Sequence, residues 1–235
     1  MQNFIFHNPV RIIFGKGTIA KLGGEAAKAG KKALLVYGGG SIKKNGVYDA
    51  VTASLAESGV TVVEHPGVKP NPVLAHARDG VKKARENGCD MVIAAGGGSV
   101  IDEAKAIAAG AKHDCDIWDF FSGRSRIKDA LPIFTVLTLP ATGSEMNQGC
   151  VITNEAAKQK FSAASPKLFP RVSILDPGTT MTLPASQVAN GGVDALAHLI
   201  EGYFTTTDTD VTITDELVHA IARSVITGTD RILAD

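Results

Sequence analysis

The sequence predicts an α/β protein, with a doubly wound parallel sheet over residues 1–180 followed over 181–235 by the beginning of an all-α region. Three observations predict it. Short apolar runs end in glycine and alternate with amphipathic stretches of helix length, the pattern of βαβ units. Two of these runs, Met91 to Ala95 and Ile133 to Leu139, are almost continuously apolar, as strands covered on both faces are. Beyond Thr182 every strong pattern is helical. Of the 235 residues 44% are hydrophobic, enough to build a core. The 24 basic and 24 acidic side chains balance to zero, which argues against a nucleic-acid surface or a polybasic membrane surface.

Taken in order, Phe4 and Phe6, then Val10, Ile12 and Phe14, alternate about Asn8-Pro9 and predict a pair of short strands. An open edge there would suit a second copy, so a homodimer is expected. Ala33 to Tyr37 is a strand, followed by Gly38-Gly39-Gly40-Ser41 and a helix from Val47 to Ser58. That helix carries Val47, Val51 and Leu55 on one face, and Gly59 stops it. Val60 to Glu64 is the next strand. Asn71-Pro72 opens another helix, with Pro at the first helical position; Leu74, Ala77, Val81 and Ala84 form its stripe and Gly88 ends it. The strand from Met91 leads into a helix beginning at Ser99, and the strand from Ile133 follows. Val151 to Thr153 and Lys160 to Ala164 flank Asn154-Glu155 as a hairpin beside the sheet. Arg171 to Leu175 is the last strand, closed by Asp176-Pro177-Gly178, and Ile213, Leu217, Ile221 and Val225 then line one face of a helix. No run approaches ~18 apolar residues, and the opening MQNFIFHNPVRIIF lacks a signal-peptide pattern. Cys89, Cys115 and Cys150 form no CxxC pair, so reduced thiols in a cytoplasmic protein are expected.

Glycine, with 25 residues, is the compositional outlier, and its positions carry the functional reading. From Met91 a buried strand runs into Gly96-Gly97-Gly98 and directly into a helix with Ser99 and Asp102 in its first turn. Glycines let the backbone turn tightly, and the free N–H groups of a helix start favour a phosphate. Ser99 and Asp102 have capping spacing. The motif is neither GxGxxG nor a Walker loop, and a turn that merely joins strand to helix looks the same. Gly38-Gly39-Gly40-Ser41 repeats the junction one unit earlier, where NAD-selective folds often carry an acidic residue for the ribose. Here no acidic residue follows. Lys43 and Lys44 do, which leaves room for an extra phosphate and favours NADP over NAD, although lysines at a solvated helix start are as common. A third turn, Thr138-Leu-Pro-Ala-Thr142-Gly-Ser-Glu145, offers two hydroxyls and again a capping spacing. Three such turns at the carboxyl ends of parallel strands converge where these sheets bind ligands.

Asp194 and His198, four apart, share one face of a helix and could hold a divalent ion. Asp215 and His219 have the same spacing in an ordinary amphipathic helix, so spacing does not choose between them. The glycines before Asp194 and the Ala and Leu after it suit a buried site. His7, His65, His76 and His113 have no partner at ligand spacing.

The segments FHNPVRIIFGKG, YGGGSIKKNGVYD, KPNP, AAGGGSVIDEAKAIA, LTLPATGSEMN, ILDP and GGVDALAHLIEGYF together resemble the iron-containing alcohol dehydrogenase family, and within it NADP-dependent butanol dehydrogenases and aldehyde reductases. The resemblance implies a dehydroquinate-synthase-like architecture, a Rossmann-like cofactor domain and a helical domain with the active site between them. It implies pyrophosphate contacts at Gly97, Gly98 and Ser99, and cofactor contacts at Asn71, Thr138, Thr142 and Lys160. It sets the choice of NADP at Gly38, Gly39 and Ser41, and makes Asp194 and His198 metal ligands. The implied reaction is hydride transfer between NADP(H) and a primary alcohol or aldehyde, with Fe²⁺ or Zn²⁺ polarising the substrate oxygen. Two more metal-binding histidines are implied well downstream, and no histidine here has that context, so the chain is expected to be an N-terminal part. Lyases of the dehydroquinate-synthase type share the fold, but their polyanionic substrate calls for basic residues that these Gly-, Thr- and Ala-rich segments lack.

Overall fold

The computed structural model describes residues 3, 5–205 and 211–234; Phe4, a member of the predicted strand pair, lies outside them. The chain forms two compact units, one of residues 8–139 and 143–181, the other of residues 1–7, 140–142 and 182–235.

The first unit is built from β1 (Arg11–Phe14), α1 (Leu22–Ala26), β2 (Lys32–Tyr37), α2 (Ser41–Lys44), α3 (Val47–Glu57), β3 (Thr61–Pro66), α4 (Leu74–Glu86), β4 (Met91–Gly97), α5 (Gly98–Ala111), α6 (Trp118–Phe121), β5 (Ile133–Leu139), β6 (Gly149–Asn154), β7 (Gln159–Ala164) and β8 (Val172–Leu175). Six parallel strands form one sheet in the order β1-β8-β5-β4-β2-β3, and β6 and β7 form a separate antiparallel hairpin. Strand periodicity explains the two cores. Along β2, Leu34 and Val36 point to the side of α4 and α5, whereas Ala33, Leu35 and Tyr37 point to the side of α1 and α3. Along β4, Val92 and Ala94 join the first layer and Met91, Ile93 and Ala95 the second. Both faces are covered, so the strands read as unbroken apolar runs.

Two expectations are corrected. The predicted strand pair at the start does not form among the described residues: only Arg11–Phe14 is a strand, and it pairs in parallel with β8. Asn8 explains the break. Its Oδ1 accepts from Val10 N and its Nδ2 donates to the Met146 carbonyl, which bends the chain, and Ile5 and Phe6 stay exposed. α4 begins at Leu74 rather than at Pro72, because Asn71 takes a left-handed φ of 57° and Val73 is extended. Thr153 N donates to the Pro72 carbonyl and Val73 bridges Thr153, so β6 holds this segment straight.

The second unit contains α7 (Ala185–Thr205) and α8 (Thr212–Ala234). They approach closely at Gly192, where a Cβ would lie 2.4 Å from Thr229 Oγ1. Of the predicted stripe on α8, Ile213, Leu217 and Ile221 are exposed, while Val225 is partly buried. Among the described residues no helix is long and apolar enough to cross a membrane.

Adjacent glycines in α1 give a controlled test of the layer over β2. A Cβ on Gly23 would fall 1.8 Å from the Ser54 carbonyl oxygen of α3, whereas one on Gly24 meets nothing within 4 Å. Gly23→Ala should lower stability by about 3 kcal/mol, since a backbone atom must shift. Gly24→Ala should leave it unchanged or raise it by up to ~1 kcal/mol. Urea unfolding of the two variants measures the difference.

Candidate cofactor and metal site

The chain runs from β2 outward to β3, then returns to place β4 on the other side of β2. The strand order therefore reverses between β2 and β4, and ligands of such sheets bind outside the carboxyl ends of the strands at this switch point. Glycine turns follow both strands.

After β4 the chain enters α5 with Gly97 as the N-cap, and no side chain caps the helix. Its first-turn N–H groups are left to face an anion. Side chains are crowded out of this turn: a Cβ on Gly96 would lie 2.5 Å from Val100, and one on Gly97, at 3.1 Å from Leu139, would need that side chain to give way slightly. The expected capping box is absent, because Ser99 lies inside α5; its Oγ instead accepts from Asn71 N at 3.3 Å. Asn71 Oδ1 accepts from Lys160 Nζ at 2.8 Å, which carries the ammonium of the hairpin toward the same turn. Four of the expected contacts, Gly98, Ser99, Asn71 and Lys160, are thus joined through three distant segments. Thr138 stands beside them. The β4–β5 register slips between Gly96 and Gly97, from Leu137 to Leu139, and passes Thr138 over. A phosphate suits this place: small residues, free donors and one cation.

The second turn, after β2, has Gly40 at φ 106° and Ser41 opening α2. Gly38, Gly39 and Gly40 line an open groove with Lys43, Glu64 and Pro66. The expectation of no acidic residue here is corrected, because β3 lies alongside β2 and brings Glu64 to the groove. Its carboxylate accepts from the hydroxyls of Tyr37 and Tyr48 (2.6 Å) and from Lys43 Nζ (3.2 Å), and these donors hold it below the usual carboxylate range. Hydrogen bonds to Tyr37 and Glu64 raise Lys43, which also sits 4.4 Å from the Tyr48 ring centre.

Asp102 does not face the turn. Its Oδ1 accepts from Ser144 Oγ (2.6 Å) and its Oδ2 from Val151 N (3.0 Å); burial raises its carboxyl while these bonds lower it. Near it lies a residue that sequence patterning passed over. Lys105 is fully buried, and its ammonium donates to the carbonyls of Ser144 (2.7 Å), Asn147 (2.9 Å) and Gly149 (2.8 Å). Burial lowers it to about 8, against the pull of Asp102. No spacing rule marks this lysine. A lysine at the heart of an Ala-rich helix is the signal that was available. The predicted capping spacing of Thr142 and Glu145 is also not used: Gly143 at φ 66° caps a short turn over Ser144–Met146.

Thr142 falls in the second unit and is exposed. Asp194 and His198 lie there too, on one face of α7, with Asp194 Oδ2 3.8 Å from His198 Nε2. Their side chains are 46% and 60% exposed, so the buried setting expected for them is not seen. An oxygen and a nitrogen donor at this spacing are of the kinds that iron and zinc accept. His219 is exposed on α8.

The fold and these turns define a doubly wound, Rossmann-like protein with an anion-ready helix start at its switch point. The family model for iron-containing alcohol dehydrogenase matches residues 9–177, and the chain belongs to that family of oxidoreductases. It is 48% identical over its full length to the probable NADH-dependent butanol dehydrogenase 2 of Bacillus subtilis, covering 60% of that protein. It is 43% identical to the NADPH-dependent aldehyde reductase YqhD of Escherichia coli, over 96% of this chain and 58% of that one. The crystal structure of NADH-dependent butanol dehydrogenase A from Thermotoga maritima superposes with a TM-score of 0.95 and 50% identity, over 99% of this chain and 58% of that one. The chain thus spans about three fifths of the relatives it matches.

Lys105→Met would leave the carbonyls of Ser144, Asn147 and Gly149 without this donor, the first of them buried, and should cost about 3 kcal/mol. Lys112→Met, at an exposed lysine 3.9 Å from Asp129, should change stability by less than ~0.5 kcal/mol. Thermal melts of both, with circular dichroism to check the fold, separate these outcomes.

Proposed function

We propose that the whole protein transfers a hydride between NADP(H) and a primary alcohol or aldehyde, and that this chain supplies the nucleotide site and the first metal ligands. The observation that carries the reading is the uncapped start of α5, with Ser99, Asn71 and Lys160 linked around it. In this reading the N–H groups of Gly98 and Ser99 hold the pyrophosphate, Lys160 balances its charge through Asn71, and Thr138 orients the cofactor beside β5. Gly38, Gly39 and Ser41 receive the adenosine ribose, and Lys43 reaches the 2′-phosphate. The relatives' names include both NADH and NADPH dependence. Lys43 favours NADPH here as a cation lining the Gly38 groove, where Glu64 is already engaged by the hydroxyls of Tyr37 and Tyr48. When bound, the nicotinamide exchanges the hydride and a divalent metal, Fe²⁺ or Zn²⁺, held at Asp194 and His198 polarises the substrate oxygen. Residues 1–180 act as the cofactor domain and 181–235 as the start of the metal domain. The reading includes a cytoplasmic setting, in keeping with three free cysteines, and a homodimer paired through the outer edge of β1.

Titration of NADP⁺ and NAD⁺, followed by fluorescence, tests the nucleotide assignment. Tighter binding of NADP⁺ is expected, and Lys43→Ala should weaken NADP⁺ about tenfold while leaving NAD⁺ unchanged. Equal affinities in the parent chain would refute the role given to Lys43. NADPH oxidation with butanal and added Fe²⁺ or Zn²⁺ tests turnover. Nucleotide binding without turnover selects a second reading, a binding part that needs more of the protein, which the two-ligand metal pair favours. His198→Ala should weaken the metal dependence of any rate, and His219→Ala should not.

A further inference from the structure

Two histidines with no partner in sequence meet in the fold. His65 lies near the end of β3, His76 in the first turn of α4, and Glu103 in the second turn of α5. One nitrogen of each ring and one Glu103 carboxylate oxygen all lie within 4.8 Å of one another. The rings stack with centroids 4.2 Å apart and a tilt of 30°, and both address the same carboxylate.

The protons there can be counted. A carbonyl oxygen only accepts, so the Nε2 of His76, 3.0 Å from the Pro66 carbonyl, carries its hydrogen. A neutral His76 then turns the lone pair of Nδ1 toward Glu103 Oε1 at 2.6 Å, acceptor against acceptor. Something positive belongs between them. A single proton would join that pair alone. It would leave both ring nitrogens of His65 and Glu103 Oε2 without hydrogen-bond partners, although His65 is 1% exposed and Glu103 is 0% exposed. His65 Nε2 is 3.3 Å from Glu103 Oε1, within ion-pair reach but not aligned as a hydrogen bond.

We propose that His65, His76 and Glu103 form a structural binding site for a divalent transition metal of the zinc class, apart from the Asp194–His198 pair. The ligands are His65 Nε2, His76 Nδ1 and the Glu103 carboxylate, a nitrogen and oxygen set that zinc accepts. One cation meets every inward lone pair at once, which one proton does not. The outer partners of a zinc-bound histidine are already present. The Pro66 carbonyl fixes His76, and Asp79 Oδ2 stands 3.8 Å from His65 Nδ1 and adds a second negative charge opposite the ion. Ligand atoms of a tetrahedral site with bonds of ~2.0–2.1 Å stand about 3.3 Å apart. The His65–Glu103 pair has that spacing, and His76 must swing back slightly. His76 is also the most open of the three, with a quarter of its side chain exposed, which gives the ion an entry path and a water a fourth position. Gly80 makes the room, since a Cβ there would lie 2.9 Å from His65 Nε2. The bound ion ties β3 and α4 to α5, one turn below Gly98 and Ser99.

The test uses the full chain carrying His198→Ala, so that the other pair does not contribute, with Zn²⁺ alone as the probe. Equilibrium dialysis with elemental analysis should find one Zn²⁺ per chain, and Zn²⁺ should raise the melting temperature. Adding His76→Gln, at the most exposed ligand, should abolish both effects while circular dichroism remains unchanged. Should that variant fail to fold, Asp79→Asn at the exposed outer partner is expected to weaken Zn²⁺ binding about tenfold. No bound Zn²⁺ in His198→Ala, or binding that survives His76→Gln, or an unchanged affinity in Asp79→Asn, overturns the proposal.

Discussion

A buried helix that is polar in its middle governs the α/β unit. Most of α5 is buried, with Gly98, Val100, Ile101 and the run from Glu103 to Gly110 all inside. Three of its residues, Asp102, Glu103 and Lys105, are charge-bearing side chains withdrawn from bulk water. Two distant parts of the chain answer them: His76 answers Glu103, and the segment 144–151 answers both Asp102, through Ser144 and Val151, and Lys105, through the carbonyls of Ser144, Asn147 and Gly149. A buried charge without a partner is costly, so these pairings leave α5 only one acceptable depth and rotation. The glycines on and around it agree. Gly110 admits Ile117 and Val81, and Gly80 admits Ile107, at distances that no Cβ would allow.

That fixed placement is what makes the turn before α5 useful. The backbone N–H groups at its start are held in place, so the phosphate proposed there would meet donors that need not move. Asn71 shows the same economy. Its left-handed backbone is unusual for a residue other than glycine, and it lets one residue give its N–H to Ser99 while its side chain takes the Lys160 ammonium. The hairpin that supplies Lys160 is also the one that holds Pro72 and Val73 extended. Turn, hairpin and helix start therefore form one connected body.

Much of this was legible in the sequence, and for a physical reason. Parallel strands covered on both faces are apolar at nearly every position, so Met91 to Ala95 and Ile133 to Leu139 announce themselves, and the glycines after Ala95 mark where the backbone must turn. Local capping rules read less well. Ser99 and Asp102 have the spacing of a capping box, but Asn71 and Ser144 compete for those side chains from far along the chain. Proline at position 72 signals a helix start that tertiary pairing with Thr153 postpones. Glu64 was hidden because it reaches the Gly38 turn from the neighbouring strand. His65, His76 and Glu103 were hidden most completely, since each comes from a different element and spacing rules work only within one. The exposure of Asp194 and His198 has no signature in their apolar neighbours either.

The parallel pairing of β1 with β8 has a consequence for how the chain is made. β1 is the first strand of the unit to leave a ribosome and β8 is the last, and among the described residues β1 pairs with no other strand. The remaining strands can join in turn as they emerge, but this edge must wait until nearly the whole unit has been synthesised. Until then Arg11 to Phe14 is an unpaired strand of mostly apolar side chains, the kind of segment that invites mispairing. Arg11, paired with Glu25 in the finished fold, is the one charge within that strand, and in the nascent chain it serves as its gatekeeper.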